Sequence, residues 1–354
     1  MINWEIPASS FPIQWHITIK CDKRCKHCYT TDESTYRKEL EKELEKELDL
    51  TSLLKIADRI IEFKREYNVP VPVTITGGHP LIKEGLREVL EKLYYSNINV
   101  EILGNRSGLE NYICLFQKVN LEGYQISIDG IEETHELIRG KNSWDEVEFS
   151  INYLKEHNIP VDVMTTISNL NIKEIKQISA FCAKRQVRRY SFDRIVGLGN
   201  ARKMNSALPD FSGYRNFLLD IFYHYSDLSK DTDTFLALKD QLWKPLLNDL
   251  GIFNPKDNHK IIGGCLVGIT GLTILSNGDV VPCRRLPIKI GKLPEQSISE
   301  IFFDSPELNE LRNFDAIEEC GECDIMSYCR GNRCVAYSLH GDYFSPDPQC
   351  WRKK

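Results

Sequence analysis

Residues 13–29 read IQWHITIKCDKRCKHCY, an apolar, β-branched run that gives way at once to three cysteines, Cys21, Cys25 and Cys28. The run predicts a strand, and the C-x3-C-x2-C spacing puts three thiols on the loop that leaves it. Three thiolates on one short loop can hold three corners of a cubane iron–sulfur cluster, whose complement of four thiolates is then one short. The fourth iron is open to another ligand, as the open position of a catalytic zinc is. A zinc site completed by His27 or by a remote residue is the alternative; His27, between two of the cysteines, would point awkwardly.

Working outward, similar runs recur at residues 71–76, 99–103, 124–128, 161–167 and 189–196, with helical patterning between them, as at 81–94, 144–156 and 172–184. This alternation predicts parallel βαβ units with right-handed crossovers, wound into a closed or partly closed barrel or an open sheet. Six strands are too few for the full eight-fold barrel. Strand signals stop around residues 207–260, and Gly263-Gly264 marks a boundary. Beyond it lie short strands, turns and seven cysteines, with a hairpin expected at 272–282 around an Asn277-Gly278 turn. The repeat RKELEKELEKELDL at 37–50 sets Leu40, Leu44 and Leu48 on one stripe, which reads as a surface helix supported by i,i+4 ion pairs.

Composition excludes several classes. Forty-five Lys and Arg against 51 Asp and Glu leave a net charge of −6, so no overall cationic field exists to hold nucleic acid or anionic lipid. Residues 263–275, the most apolar stretch, are too short and glycine-rich to span a bilayer as a helix. The first twenty residues lack the features of a secretory signal, so a cytoplasmic chain is expected, in which paired thiols ligate metals more readily than they form disulfides.

The C-x3-C-x2-C motif followed by an aromatic, on the loop after the first strand of a repeated β/α chain, resembles the radical S-adenosylmethionine (SAM) enzymes. That resemblance implies a [4Fe–4S] cluster held by Cys21, Cys25 and Cys28, with the amine and carboxylate of SAM on the fourth iron and Tyr29 beside the adenine. Reductive cleavage of the sulfonium then yields a 5′-deoxyadenosyl radical. Further matches follow in order. Gly77-Gly78-His79-Pro80 stands where the family has Gly-Gly-Glu-Pro against the methionyl amine; His79 removes the carboxylate acceptor and leaves the amine to backbone carbonyls or another side chain. Asn105 falls where ribose contacts are expected, and Ser127-Ile128-Asp129-Gly130 with His135 and Arg139-Gly140 is similar to the family's S-x-D-G…H…R-G stretch. Ser127 and Arg139 become candidates for the SAM carboxylate. Asn169 and Asn171 read equally well as turn and cap residues.

The later cysteines, Cys265, Cys283, Cys320, Cys323, Cys329, Cys334 and Cys350, resemble the SPASM domain, which adds two auxiliary iron–sulfur clusters. The resemblance implies Cys320, Cys323, Cys329 and Cys350 on one cluster and Cys265, Cys283 and Cys334 on the other, although four residues precede Cys334 where three are usual. The eighth ligand is an open iron site, a residue such as His259, or absent because the cluster is smaller. Zinc is the alternative for the whole group, since C-x2-C pairs alone suit it equally. Cys114 and Cys182 read as small buried hydrophobes. The basic run Arg284, Arg285, Lys289 and Lys292 is either solvated surface or a contact for an acidic peptide.

Together these resemblances imply an α/β fold, a partial (β/α)6 TIM barrel with a C-terminal cysteine-rich SPASM domain: a barrel over 1–206, a helical bridge over 207–262 and an auxiliary-cluster domain over 263–354. They imply a peptide maturase that abstracts hydrogen from a ribosomally made peptide, yielding a thioether, a carbon–carbon cross-link or a related oxidation. Oxidation of a protein side chain or a tetrapyrrole is the alternative, with a zinc-stapled binding protein outside the enzyme class. Arg284, where sulfatase-maturing relatives carry an Asp, argues against formylglycine formation. An electron donor such as ferredoxin or flavodoxin is implied. Only twenty residues precede Cys21, so any leader recognition is expected to use a separate leader-binding protein or another surface.

Overall fold

The computed structural model describes residues 10–30, 42, 44–204, 211–255 and 263–352. Six strands lie side by side in chain order, all parallel: β1 (Ile13–Thr18), β2 (Val73–Gly77), β3 (Val100–Leu103), β4 (Gly123–Ser127), β5 (Val161–Ile167) and β6 (Arg189–Arg194). The helices between them are α1 (Leu50–Tyr67), α2 (Leu86–Tyr95), α3 (Leu109–Lys118), α4 (Glu132–Arg139), α5 (Ser143–Glu156) and α6 (Ile175–Lys184). The expected strands are all present, and the architecture is the partial barrel expected for an α/β chain.

Parallel strands covered on both faces usually read as unbroken apolar runs. Here the two faces differ. Trp15, Ile75, Ile102, Tyr124, Val163 and Tyr190 are buried under the helices. Gln14, Thr74, Glu101, Gln125, Arg189 and Ser191, at alternating positions, line a cavity on the other face. A polar interior face leaves room and chemistry for a ligand inside the barrel.

The C-terminal part extends this sheet. After α7 (Phe211–Leu228), β7 (Phe235–Ala237) adds to β6, inside a stretch without strand patterning in the sequence, because three residues are too few to show an alternation. Past α8 (Trp243–Asp249), β8 (Leu272–Ile274) pairs in parallel with β1. With β9 (Asp279–Val281) it forms the expected hairpin, where the Asp279 N–H donates to Asn277 Oδ1 at 3.0 Å and Gly278 has φ +86°. β10 (Gly291–Lys292) completes the ten-stranded order, and α9 (Ile298–Asp304), α10 (Pro306–Leu311) and α11 (Arg333–His340) follow.

Leu40, with residues 37–39, 41 and 43 of the charged repeat, lies outside the described residues, and residues 45–49 form turn and loop where the repeat pattern predicts helix. Glu47 near its end accepts from the Ile19 N–H at 2.6 Å and pairs with Lys83 at 2.9 Å. Cys182 is buried as expected, but Cys114 is exposed, because on α3 it lies about 100° round from the buried Ile113. Among the described residues no helix is long and apolar enough to cross a membrane.

A buried ion-pair group fastens β6 to the chain beyond it. Arg194 donates through Nε to Asp240 at 2.6 Å and through both terminal nitrogens to Asp347 at 2.6 and 2.7 Å. Tyr214 donates to Asp240 at 3.0 Å, and the Asn332 N–H to Asp347 at 2.7 Å. Arg194, Asp240 and Asp347 have side chains fully withdrawn from solvent.

Candidate active site

Cys21, Cys25 and Cys28 sit on the loop leaving β1, at the mouth of a cleft that encloses about 1150 Å³ of space, part of it open to solvent. The three thiols lie within electrostatic reach of one another. Burial pushes Cys21 up to about 11 and also raises Cys25, with Arg139 acting against that rise at Cys25. Among the described residues no three His, Cys, Asp or Glu side chains close round a single ion. A cubane places each thiolate on its own iron corner, so the donor set suits a cluster better than a mononuclear zinc.

The glycine pair has a geometric cause. Gly78 N–H donates to Thr18 O at 2.7 Å and His79 N–H to Lys20 O at 2.8 Å, tying the end of β2 to the start of the cysteine loop. A Cβ on Gly77 would lie 2.1 Å from Thr18 O, and one on Gly78 2.2 Å from Lys20 O. Any larger residue would push the two segments apart.

His79 itself turns into the protein. Its side chain is fully buried, Nε2 donates to Ser107 O at 2.6 Å, and Nδ1 accepts from the Asn105 N–H at 3.4 Å. Asn105 Nδ2 in turn donates to Asp22 Oδ1 at 2.7 Å, and the Ser107 hydroxyl donates to Asp22 Oδ2. His79 thus braces the loop after β3, which in turn holds the cysteine loop through Asp22. His79→Ala is expected to lower the unfolding free energy by roughly 1–3 kcal/mol, read by denaturant titration of anaerobic protein, because it strands two backbone groups.

Asp129 is the hub of the opposite wall. It accepts from His27 Nε2 at 2.8 Å, from the Thr166 N–H at 2.7 Å and from Arg139 Nε. Burial opposes its ionisation, but Arg139, His27 and the Thr166 N–H outweigh that and hold the carboxyl well below the usual range. His27 is thereby drawn toward Asp129, and Arg139 is aimed so that Nη1 lies 3.8 Å from Cys25 Sγ. Asn171, beneath, donates to Asp129 O at 3.0 Å and Thr166 O at 2.9 Å and is a turn brace; Asn169 is exposed.

Tyr29, Gly77, Gly78, Asn105, Ser127 and Arg139 all line the cleft with the three cysteines. Gln125, Met164 and Thr166, which carry no motif in the sequence, line it too. Strand alternation carries their signal, since each lies two residues from another cleft-facing position. The basic run divides. Lys289 and Lys292 pair with Asp279, Arg285 pairs with Asp193 at 2.5 Å, and Arg284 lies 5.6 Å over the Tyr29 ring.

The seven later thiols fall into two groups. Cys334 donates to the Cys283 sulfur with Cys265 nearby, and that bond pulls the Cys283 thiol down, helped against burial by Arg285. Cys320 interacts with Cys323, Cys350 with both, and Cys329 with Cys350 and Cys320. Burial raises Cys320 and Cys350 to about 11, as in the first group. His259 lies outside the described residues.

Comparison with known proteins agrees with this arrangement. Residues 15–182 match the radical SAM superfamily, and residues 265–324 match SPASM, an iron–sulfur cluster-binding domain. An AdoMet-dependent heme synthase of Methanosarcina barkeri is 25% identical over 96% of this chain and 95% of its own. The sporulation killing factor maturation protein SkfB of Bacillus subtilis is 25% identical over 80% and 63%. Streptococcus suis SuiB bound to S-adenosylmethionine superposes with a TM-score of 0.76 at 15% identity, covering 98% of this chain and 78% of that one. With three cysteines after β1, a partial barrel and a thiol-rich extension, the chain belongs to the radical SAM enzymes that carry a C-terminal SPASM domain.

Proposed function

We propose that this enzyme abstracts a hydrogen atom from a ribosomally made peptide and oxidises it to a thioether, a carbon–carbon cross-link or a related product. One observation carries this reading. The cleft beside Cys21, Cys25 and Cys28 shares Leu103, Gln125, Asp193, Arg284 and Arg285 with a second cavity, and Cys265, Cys283 and Cys334 line that cavity. A substrate held there lies between a site of hydrogen abstraction and an acceptor for the second electron. SkfB, a maturation protein by name, supports the peptide class.

On this reading Cys21, Cys25 and Cys28 hold the [4Fe–4S] cluster, and Tyr29, Gly77, Gly78, Asn105, Ser127 and Arg139 surround SAM. Together they supply, on one-electron reduction, a 5′-deoxyadenosyl radical that takes the hydrogen. Asp129 keeps Arg139 oriented and charged beside Cys25, and the glycine pair fixes the distance between the cysteine loop and β2. Cys265, Cys283 and Cys334 hold one auxiliary cluster, and Cys320, Cys323, Cys329 and Cys350 the other. A ferredoxin or flavodoxin supplies the electron. The barrel spans 1–206, the bridge 207–262 and the auxiliary-cluster domain 263–354.

Oxidation of a tetrapyrrole is the second reading, favoured by the heme synthase that matches nearly end to end. Co-expression with peptides encoded nearby, followed by mass spectrometry and chiral amino-acid analysis, tests the first. A peptide altered in mass or configuration is expected, and an unaltered peptide together with oxidation of a supplied porphyrin would transfer the assignment to the second.

A further inference from the structure

The second cavity encloses about 1750 Å³, part of it open to solvent, and its wall carries four cations. Two are paired: Arg189 with Asp162 at 2.5 Å and Glu101 at 3.2 Å, and Arg285 with Asp193 at 2.5 Å. Two have no acidic partner within ion-pair distance among the described residues. The Lys239 ammonium lies 3.5 Å from the Met164 sulfur, and Arg284 rests over Tyr29. Asp193 faces Lys239, but its Oδ2 is taken by Arg285, and its Oδ1 accepts from the Arg194 N–H at 2.9 Å and from Asn332 at 3.4 Å.

Two like charges that face one cavity repel, and an anion bound between them removes that cost. Arg284 follows Cys283 and also faces that thiol, so part of its charge offsets an auxiliary cluster. Lys239 instead faces Arg284, Asp193, Arg285 and Arg189. The cavity wall also exposes large apolar side chains, Phe235 at 65%, Leu238 at 40% and Leu266 at 48%. Uncovered apolar surface beside cations that have no acidic partner suits a ligand with an anionic end and an apolar body.

We propose that Lys239, assisted by Arg284, binds a carboxylate of the substrate, whose apolar body rests on Phe235, Leu238 and Leu266. This rests on the reading that the substrate occupies this cavity. The carboxylate of a glutamate in an apolar peptide and the propionate of a tetrapyrrole share the required chemistry.

The test uses the full chain, reconstituted anaerobically, and two probe pairs. One is mesoporphyrin IX against its dimethyl ester. The other is an end-capped hexapeptide of leucine and glutamate against its glutamine counterpart. Binding is followed by equilibrium dialysis. The acid of at least one pair is expected to bind at least about tenfold more tightly than its neutral partner. Lys239→Met is expected to remove that preference and Lys239→Arg to keep most of it. The pair that shows a Lys239-dependent preference identifies the source of the carboxylate. Equal binding of acid and neutral probes in both pairs, or an undiminished preference in Lys239→Met, overturns the proposal. Reductive SAM cleavage by the wild-type protein, measured separately, reports on the radical SAM reading and stands or falls independently of these affinities.

Discussion

Cys25→Ala is expected to reduce dithionite-driven production of 5′-deoxyadenosine to the level of protein-free controls, while iron at the seven later thiols is retained. Cys25 is central to its loop: its carbonyl accepts from the Cys28 N–H at 3.1 Å and from Asn200 at 3.3 Å, and its sulfur faces Arg139. Two remaining thiols leave two iron corners without protein ligands, and a cubane so held is lost. The later thiols belong to other elements and share no hydrogen bond with this loop among the described residues, so their iron is expected to survive. Iron analysis and the absorption spectrum, set beside the deoxyadenosine assay, separate loss of one cluster from loss of all. Full deoxyadenosine production by the variant contradicts the assignment.

Arg194→Met is expected to destabilise the fold by about 3–5 kcal/mol, measured by urea unfolding of the anaerobic protein. Replacing one member of a buried ion pair leaves its partners charged and dry, which costs more than the pair itself contributes. Here two carboxylates are stranded together, Asp240 and Asp347, each with no solvent access. The triple variant Arg194→Met, Asp240→Asn, Asp347→Asn is expected to recover part of the loss, because it removes the stranded charges. A loss below about 1 kcal/mol in the single variant means that water or nearby groups already neutralise the pair.

Much of the barrel was readable in advance because apolar runs recur at regular intervals and the helices between them keep a clear period. β7 escaped because a three-residue edge strand owes its place to β6 and has no pattern of its own. The thiols were readable because their spacing is local. His79 was harder: a residue type shows what a side chain can bind, whereas its direction depends on the loop that happens to pack behind it. The same applies to Lys239 and Arg284, whose meaning comes from facing one cavity after some forty-five residues of intervening chain. Asp129 stood in the quoted motif, yet its role as a hub depends on Thr166 and Arg139, brought to it by separate elements.

The glycine pair after β2 is demanded by backbone crowding, while the residue that follows looks away from the cleft. These neighbours therefore meet unrelated requirements, one steric at the closing junction, the other set by the loop that His79 supports. In this chain the third position answers to the packing of the loop after β3, not to the crowding that demands the glycines.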